Sequence, residues 1–296
     1  MNSWRNHITR LEGAYAQKTI DGYRIDFGEF AAWCRRKRLR CLPASPETIA
    51  KFIDECAERL KVSSVKRKLS AIRKVHRLAG HYGIAEDEAV VLAIRRAKRR
   101  QPGRPRQALG VTAERRDRMA EACGDDLRGL RDRVLVAVGF DTLCRRSELV
   151  AIRIQDLSKT DNGTYSILVR RAKNDPEGLG RTAHLSRRTS ELVDHWLTEA
   201  ELSHGPLLRP VYKNVAGKRS LSSATVGRVL KSLAEAADFP EEETRLVSGH
   251  SLRVGAAQTL TRRGFGILPI MSAGGWKSMN TVARYVENVE QNLWDG

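Results

Sequence analysis

The sequence has little that would let it hold a metal, cross a membrane or staple itself with disulfides. Five cysteines (Cys34, Cys41, Cys56, Cys123 and Cys144) are scattered through 296 residues without a CxxC pair. An odd count without metal-ligand spacing fits free thiols in a reducing cytoplasm and argues against a zinc site. No run of about 18 apolar residues occurs, which excludes a membrane-spanning helix. The N-terminal segment MNSWRNHITRLEG has no apolar signal core, so secretion is not expected. Internal repeats and low-complexity segments are also missing. Acidic residues are in short supply: 35 Asp/Glu face 53 Lys/Arg, a net charge of +18. The imbalance is local. Residues 1–106 carry 25 basic and 11 acidic residues, a net of +14, and the remainder only +4. A positive excess gathered in one region points to a polyanion partner, with a merely solvated basic surface as the plainer alternative.

What is present is enough apolar material for two cores. Hydrophobic residues make up 41% of the chain, and this length suggests two domains. Ile20, Tyr23, Phe27, Phe30 and Cys34 recur at spacings of three and four, one apolar helical stripe. Ser45-Pro46-Glu47 reads as a helix start, with Ile49, Phe52, Ile53, Cys56 and Leu60 as its buried face. Ser63 or Ser64 is expected to cap a third helix, with Val65, Leu69 and Ile72 inward. Its opposite face carries Lys66, Ser70, Arg73, Lys74 and Arg77. A fourth helix is expected from about Glu86, burying Val90, Val91 and Ile94. These elements define a helical domain over residues 1–100. Gln101-Pro-Gly-Arg104-Pro-Arg106-Gln107 cannot continue a helix, so residues 101–109 read as a linker whose arginines lie along phosphates.

Residues 110–296 read as a second, α+β domain. Thr112 caps one helix and another spans about 126–143. Tyr165, Ile167 and Val169 then alternate, Asn174 to Gly180 turns, and Thr182, His184 and Ser186 return, a small antiparallel hairpin or sheet. Helices resume at about 187–202, 223–237, 250–264, 267–273 and 279–289. The expected fold class is therefore mainly α, in two domains.

Chemistry concentrates in this second domain. Arg145 and Arg253 are candidate phosphate clamps, because a guanidinium is always charged and its planar fork matches two oxygens. Each taken alone is more often a surface ion-pair partner. His250 lies three residues before Arg253, a spacing that puts both on one helix face. Trp276, after Gly274-Gly275, offers an indole N–H. Tyr285 is a phenol that becomes a nucleophile only with a base and cations nearby. Glu148 stands three residues after Arg145 and is placed to brace it, and Lys173 sits at the hairpin turn, where an ammonium can give up a proton.

Assembled, these residues resemble the signature of the tyrosine recombinase (phage integrase) family, and the chain is most similar to its Cre-type members. The matching segments are Thr142-Leu-Cys-Arg145-Arg-Ser-Glu148-Leu, Lys173, Gly249-His250-Ser-Leu-Arg253-Val-Gly-Ala-Ala257, Gly274-Gly-Trp276 and Arg284-Tyr285. In the first domain, Ala31-Ala-Trp-Cys34, Pro43-Ala-Ser-Pro46 and His76-Arg-Leu-Ala-Gly80 look like the family's core-binding domain. The resemblance implies a helical core-binding domain and an α+β catalytic domain closing around double-stranded DNA. It implies Arg145, His250, Arg253 and Trp276 around the scissile phosphate, Tyr285 attacking it, and Lys173 as general acid. It further implies a 3′-phosphotyrosyl intermediate, a Holliday junction, a homotetramer on an inverted-repeat site, no metal, no nucleotide cofactor, and a bacterial, phage or plasmid source with the protein in the cytoplasm at the nucleoid. Lys66, Arg67, Arg73, Lys74, Arg104, Arg106, Arg228 and Lys231 are the candidate DNA contacts, with Arg67 the candidate for base readout and Lys66, Arg73 and Lys74 for phosphates.

Two departures from the family pattern matter. Ala224 stands where Cre-type members place a guanine-reading arginine, so a different target sequence is expected. The residues after Tyr285 are few, and Val289, Leu293 and Trp294 are expected to form a shortened version of the tail that docks into a neighbouring protomer. Two alternatives stay open. A type IB topoisomerase-like relaxing enzyme uses the same chemistry, but the first domain and the tail argue against it. A non-catalytic DNA-binding accessory protein has no need of the intact set around Tyr285.

Overall fold

Apolar spacing becomes packing first in the N-terminal helices. The computed structural model describes residues 4–101, 107–170 and 180–287, and the chain forms two compact units, Met1–Pro105 and Arg106–Gly296. Among the described residues the first holds five helices: α1 (Trp4–Thr9), α2 (Gln17–Arg36), α3 (Pro46–Ala57), α4 (Val62–Leu78) and α5 (Glu88–Arg100), with a 3-10 turn at Ile84–Glu86. Helix α2 buries Ile20, Phe27, Phe30 and Cys34, four of the five stripe residues, while Tyr23 is half-buried. Phe30 and Phe52 meet edge-on with centroids 5.0 Å apart, and Trp33 adds its ring 5.3 Å from Phe52. Ser45 caps α3 by accepting from Thr48 N at 3.3 Å, with Pro46 in the first turn.

Two helix starts differ from expectation. Lys61, not a serine, is the N-cap of α4, and the orphan N–H of Val62 donates to Oε1 of Gln101 at 3.2 Å. The cap comes from a residue 39 positions away, so a local reading points to the nearby serines instead. Helix α5 starts at Glu88 behind Asp87, whose carboxylate accepts from Ala89 N at 2.9 Å. It buries Val90, Ala93 and Ala97, leaving Val91 and Ile94 half-buried.

His76 is buried in this unit. Its Nε2 accepts from Ala44 N at 3.0 Å and its Nδ1 lies 2.8 Å from Ile72 O. The network therefore needs the proton on Nδ1 and a neutral ring, and burial lowers the imidazole pKa accordingly.

The second unit is built around α7 (Leu127–Asp141), which follows α6 (Ala113–Glu121) and precedes the single turn α8 (Arg146–Leu149). A three-stranded antiparallel sheet comes next, β1 (Leu157–Lys159), β2 (Tyr165–Val169) and β3 (Arg181–His184), with Ile167 opposite both Leu157 and Ala183. The alternation of Tyr165, Ile167 and Val169 is the buried side of β2. After α9 (Arg187–Glu199) come the hairpin β4 (Val211–Tyr212) and β5 (Val215–Ala216), then α10 (Ser223–Ala236), α11 (Glu241–Leu246), α12 (Ser251–Arg262), α13 (Ile267–Gly274) and α14 (Met279–Val286). The sequence did not signal β1, β4, β5, α8 or α11, because elements of two to six residues are too short for an apolar period to repeat distinctly.

Val134, Leu135, Val138, Ile167, Val193, Trp196, Leu230 and Ala257 form the centre of this core. The segment before α6 is pinned to α12 by Val111 N donating to Ser251 O at 2.9 Å. That approach requires glycine at 255, where a Cβ would stand 1.8 Å from Val111 O.

Candidate active site

The site begins where α7 ends. Thr142 closes that helix, and Leu143 takes a left-handed conformation with φ 51°. A branched side chain at positive φ is strained and has to be held by its surroundings. The turn delivers Arg145 to the N-cap of α8, with Glu148 at the third position of that helix. Glu148 accepts twice from the same residue: Arg145 Nη1 donates to Oε1 at 2.6 Å and Arg145 N to Oε2 at 3.0 Å. The Glu148 side chain is 2% exposed and that of Arg145 17%, so this is a largely desolvated pair rather than a solvated surface one.

Arg253 stands on α12 and is 2% exposed. Its Nη1 donates to Leu143 O, which ties α12 to the strained turn. Its Nη2 is buried and has no hydrogen-bond partner among the described residues. A buried guanidinium N–H left open is costly unless an anion completes it. Burial, and then the charge of Arg145, push the Arg253 pKa down to about 10, so it remains cationic at neutral pH. The guanidinium carbon lies 3.8 Å from the Trp276 ring centroid, a cation–π arrangement that fixes the fork's plane.

Trp276 reaches that position because α13 ends tightly. Gly275 is its C-cap with φ 63°, and Trp276 N donates to Met271 O at 2.9 Å. Gly274 lies under the indole, where a Cβ would stand 1.9 Å from the ring. Tyr285 of α14 also lies against Trp276, with ring centroids 5.8 Å apart at 57°. Gln258 of α12 donates to Tyr285 O at 3.1 Å and anchors α14 on the same helix that carries Arg253.

His250 is the N-cap of α12, three residues before Arg253, and its N–H donates to Ser248 Oγ at 3.2 Å. Although the residue as a whole is exposed, protein packed around the ring lowers its pKa, and Arg253, Arg146 and Arg145 lower it further. The imidazole is therefore held neutral near pH 7, able to accept or donate one hydrogen bond.

The described structure thus brings Arg145, Glu148, His250, Arg253, Trp276 and Tyr285 together. Lys173, Arg104 and Arg106 lie outside the described residues. One member of the group was not legible: Arg181, the first residue of β3. Its Nη2 donates to Thr142 O at 2.7 Å and to Cys144 Sγ at 3.4 Å, and its Nη1 donates to Ala273 O at 2.8 Å. No local pattern distinguishes it among 53 basic residues. Among the described residues, no group of three His, Cys, Asp or Glu is placed to hold a metal ion, and no helix is long and apolar enough to cross a membrane.

The remaining candidates for DNA contact differ in how open they are. On α4, Lys66 is exposed, while exposed Arg67 is held by buried Asp26 at 2.8 Å. Arg73 donates to Ala85 O at 2.9 Å and Lys74 to the Tyr15 hydroxyl at 2.7 Å, so both half-buried cations have partners within their own unit. On α10, Arg228 and Lys231 are exposed, and Arg228 donates to Thr225 Oγ1 at 2.9 Å.

Known proteins match this chain over nearly its full length. Residues 111–292 match the phage integrase family, and residues 2–83 match the phage integrase N-terminal SAM-like domain. The chain is 32% identical over 289 residues to the integrase/recombinase xerD homolog of Selenomonas ruminantium, covering 94% of this chain and 84% of that one. It is 29% identical over 278 residues to the recombinase cre of Escherichia phage P1, covering 88% and 81%. Among solved structures, a lambda integrase dimer bound to a COC′ core site superposes with TM-score 0.66 at 18% identity, covering 100% of this chain and 98% of that one. XerH recombinase bound to a palindromic difH substrate gives TM-score 0.66 at 18% identity, covering 93% and 78%. At those identities the superpositions speak to the fold, which is that of tyrosine recombinases. With the catalytic domain model matched over most of the second unit and two recombinases similar along the chain, this protein belongs to the phage integrase family of tyrosine recombinases, with Cre recombinase among its close relatives.

Proposed function

We propose that this protein is a Cre-like site-specific recombinase that cuts and rejoins DNA through a 3′-phosphotyrosyl intermediate. The observation that carries the reading is the buried Nη2 of Arg253, without a hydrogen-bond partner among the described residues, within the field of Arg145 and Tyr285. A scissile phosphodiester is the anion whose non-bridging oxygens complete such a clamp. Tyr285 Oη attacks phosphorus and loses its proton, with His250 as the proposed acceptor. The bond from phosphorus to the 5′ oxygen breaks, and that oxygen takes a proton from the general acid, the role the family resemblance gives Lys173. The phosphotyrosyl bond retains the phosphodiester's energy, so a 5′ hydroxyl can attack it in turn with no nucleotide cofactor. Arginines supply the positive charge, so this mechanism needs no metal.

Family resemblance extends the proposal to four protomers on inverted-repeat DNA, with strand exchange through a Holliday junction. A cavity of about 810 Å³ beside α7, α9 and α12 supports the assembly. Its lining includes Val136, Phe140, Leu192 and Leu260 together with charged residues such as Arg116 and Arg188, which suits a terminal segment from a neighbouring copy with an apolar face. Lys66 on α4, and Arg228 and Lys231 on α10, are the proposed DNA contacts among the described residues; Arg67, Arg73 and Lys74 would first have to give up their internal partners. The test uses nicked duplexes carrying random half-sites in inverted repeat. The wild type should leave DNA covalently attached after denaturation at one enriched site. Tyr285→Phe should retain that DNA only before denaturation. Selective retention without any adduct would point to an accessory DNA-binding protein instead.

A further inference from the structure

We propose that Arg181 is a positioning residue of the catalytic site, a brace that sets the distance between the two halves of the phosphate clamp. One half is the turn at residues 142–145, which presents Arg145. The other is the end of α13, which presents Trp276, on which Arg253 of α12 stacks. Arg181 bonds to both, reaching Thr142 O and Cys144 Sγ on the first and Ala273 O on the second. These partners are 39, 37 and 92 residues away in sequence, so Arg181 adds a non-local link beside the one that Arg253 makes to Leu143 O.

The neighbouring chemistry fits a brace. Arg181 and Arg253 take consecutive carbonyls of one strained turn, Thr142 O and Leu143 O. Leu143 is held at φ 51° between them. Gly275 lies against the arginine's aliphatic portion, where a Cβ would stand 2.9 Å from Arg181 Cδ. The fork is needed because one planar group must donate in two directions at once, which a lysine ammonium on its flexible stem does poorly. Arg181 touches carbonyls and a thiol, not the proposed position of the phosphate, so it acts through Arg145 and Trp276. Displacements of about 1 Å in such groups cost on the order of 100-fold in rate.

The role rests on the strand-cleavage reading above, so the experiment separates the two. The full chain is prepared as wild type, Arg181→Ala and Arg181→Lys, and the probe is the inverted-repeat duplex selected by covalent capture with the wild type. Arg181→Ala should cleave about 10- to 100-fold more slowly in single turnover, with DNA affinity within about threefold, and Arg181→Lys should fall between. Hydrogen exchange on the free proteins should show faster exchange in segments 142–149 and 270–277 of Arg181→Ala, with α2 and α3 unchanged. Unaltered exchange in both segments overturns the brace. Altered exchange with wild-type cleavage overturns the positioning role. A loss of DNA affinity that matches the loss of cleavage also overturns it. If the wild type itself forms no adduct, the strand-cleavage reading fails and takes this role with it.

Discussion

Glu148→Gln isolates the one buried carboxylate that balances the clamp. In the wild type its two oxygens accept from Arg145 Nη1 at 2.6 Å and Arg145 N at 3.0 Å, with the carboxylate 2% exposed. Glutamine keeps the shape but offers one acceptor oxygen and an NH₂ group. One bond therefore loses its charge, and one Arg145 N–H faces another donor. A hydrogen bond to a charged group contributes about 1.5–3 kcal/mol against about 0.5–1.5 for a neutral one, and an orphaned buried donor costs about 1–3 more. The net cost comes to about 2–4.5 kcal/mol. Cys144, 3% exposed and next to Arg145, reports on this turn through thiol labelling read by mass spectrometry. If labelling requires opening, about 2–4.5 kcal/mol raises its rate roughly 30- to 2,000-fold. Single-turnover cleavage should fall about tenfold or more in parallel, because Arg145 loses its orientation. A variant that labels as slowly as the wild type and cleaves as fast would show that Glu148 neither braces Arg145 nor matters to the clamp.

Three further outcomes are expected. Gly274→Ala puts a Cβ 1.9 Å from the Trp276 ring, so the indole must leave its place over Arg253; overpacking costs about 1–3 kcal/mol, and cleavage should drop while DNA binding persists, whereas wild-type kinetics would show that the Trp276 position is not critical. Arg145→Lys should lower single-turnover cleavage by about 100- to 1,000-fold, and near-normal turnover would remove Arg145 from the clamp. The first domain should be acid-sensitive through His76: burial holds its folded pKa below the ordinary 6.5, so the unfolded chain binds more protons between the two values. Stability is then complete above about pH 6.5 and declines as pH falls below it; urea melts at pH 7.5 and 5.0 should show a larger loss for wild type than for His76→Gln, and equal losses would assign the effect elsewhere.

Much of this was legible in the residues because it is local. Phe27 and Phe30 mark the buried side of α2 by spacing alone, and Ser45-Pro46 announces α3. The pairs Arg145 with Glu148 and His250 with Arg253 sit three residues apart, so a single helix turn already joins each of them. What stayed hidden is what distant segments supply. Gln101 completes the start of α4 from 39 residues away, which hid Lys61 as the N-cap. Asp26 claims Arg67, Ala85 claims Arg73 and Tyr15 claims Lys74; a helical wheel displays these side chains as open because it shows one helix at a time. Arg181 is the same case at the active site, since each of its acceptors lies at least 37 residues away.

The central claim is that Tyr285 is the nucleophile. Wild-type protein trapped on its selected duplex can be digested with nuclease and trypsin, and the peptide carrying the residual nucleotide identified by mass spectrometry. Trypsin cuts after Arg284, which leaves Tyr285 as the first residue of the terminal peptide 285–296. The account predicts the added nucleotide on that tyrosine, and no adduct with Tyr285→Phe. A nucleotide on any of the other five tyrosines, or an adduct that survives in Tyr285→Phe, would contradict it.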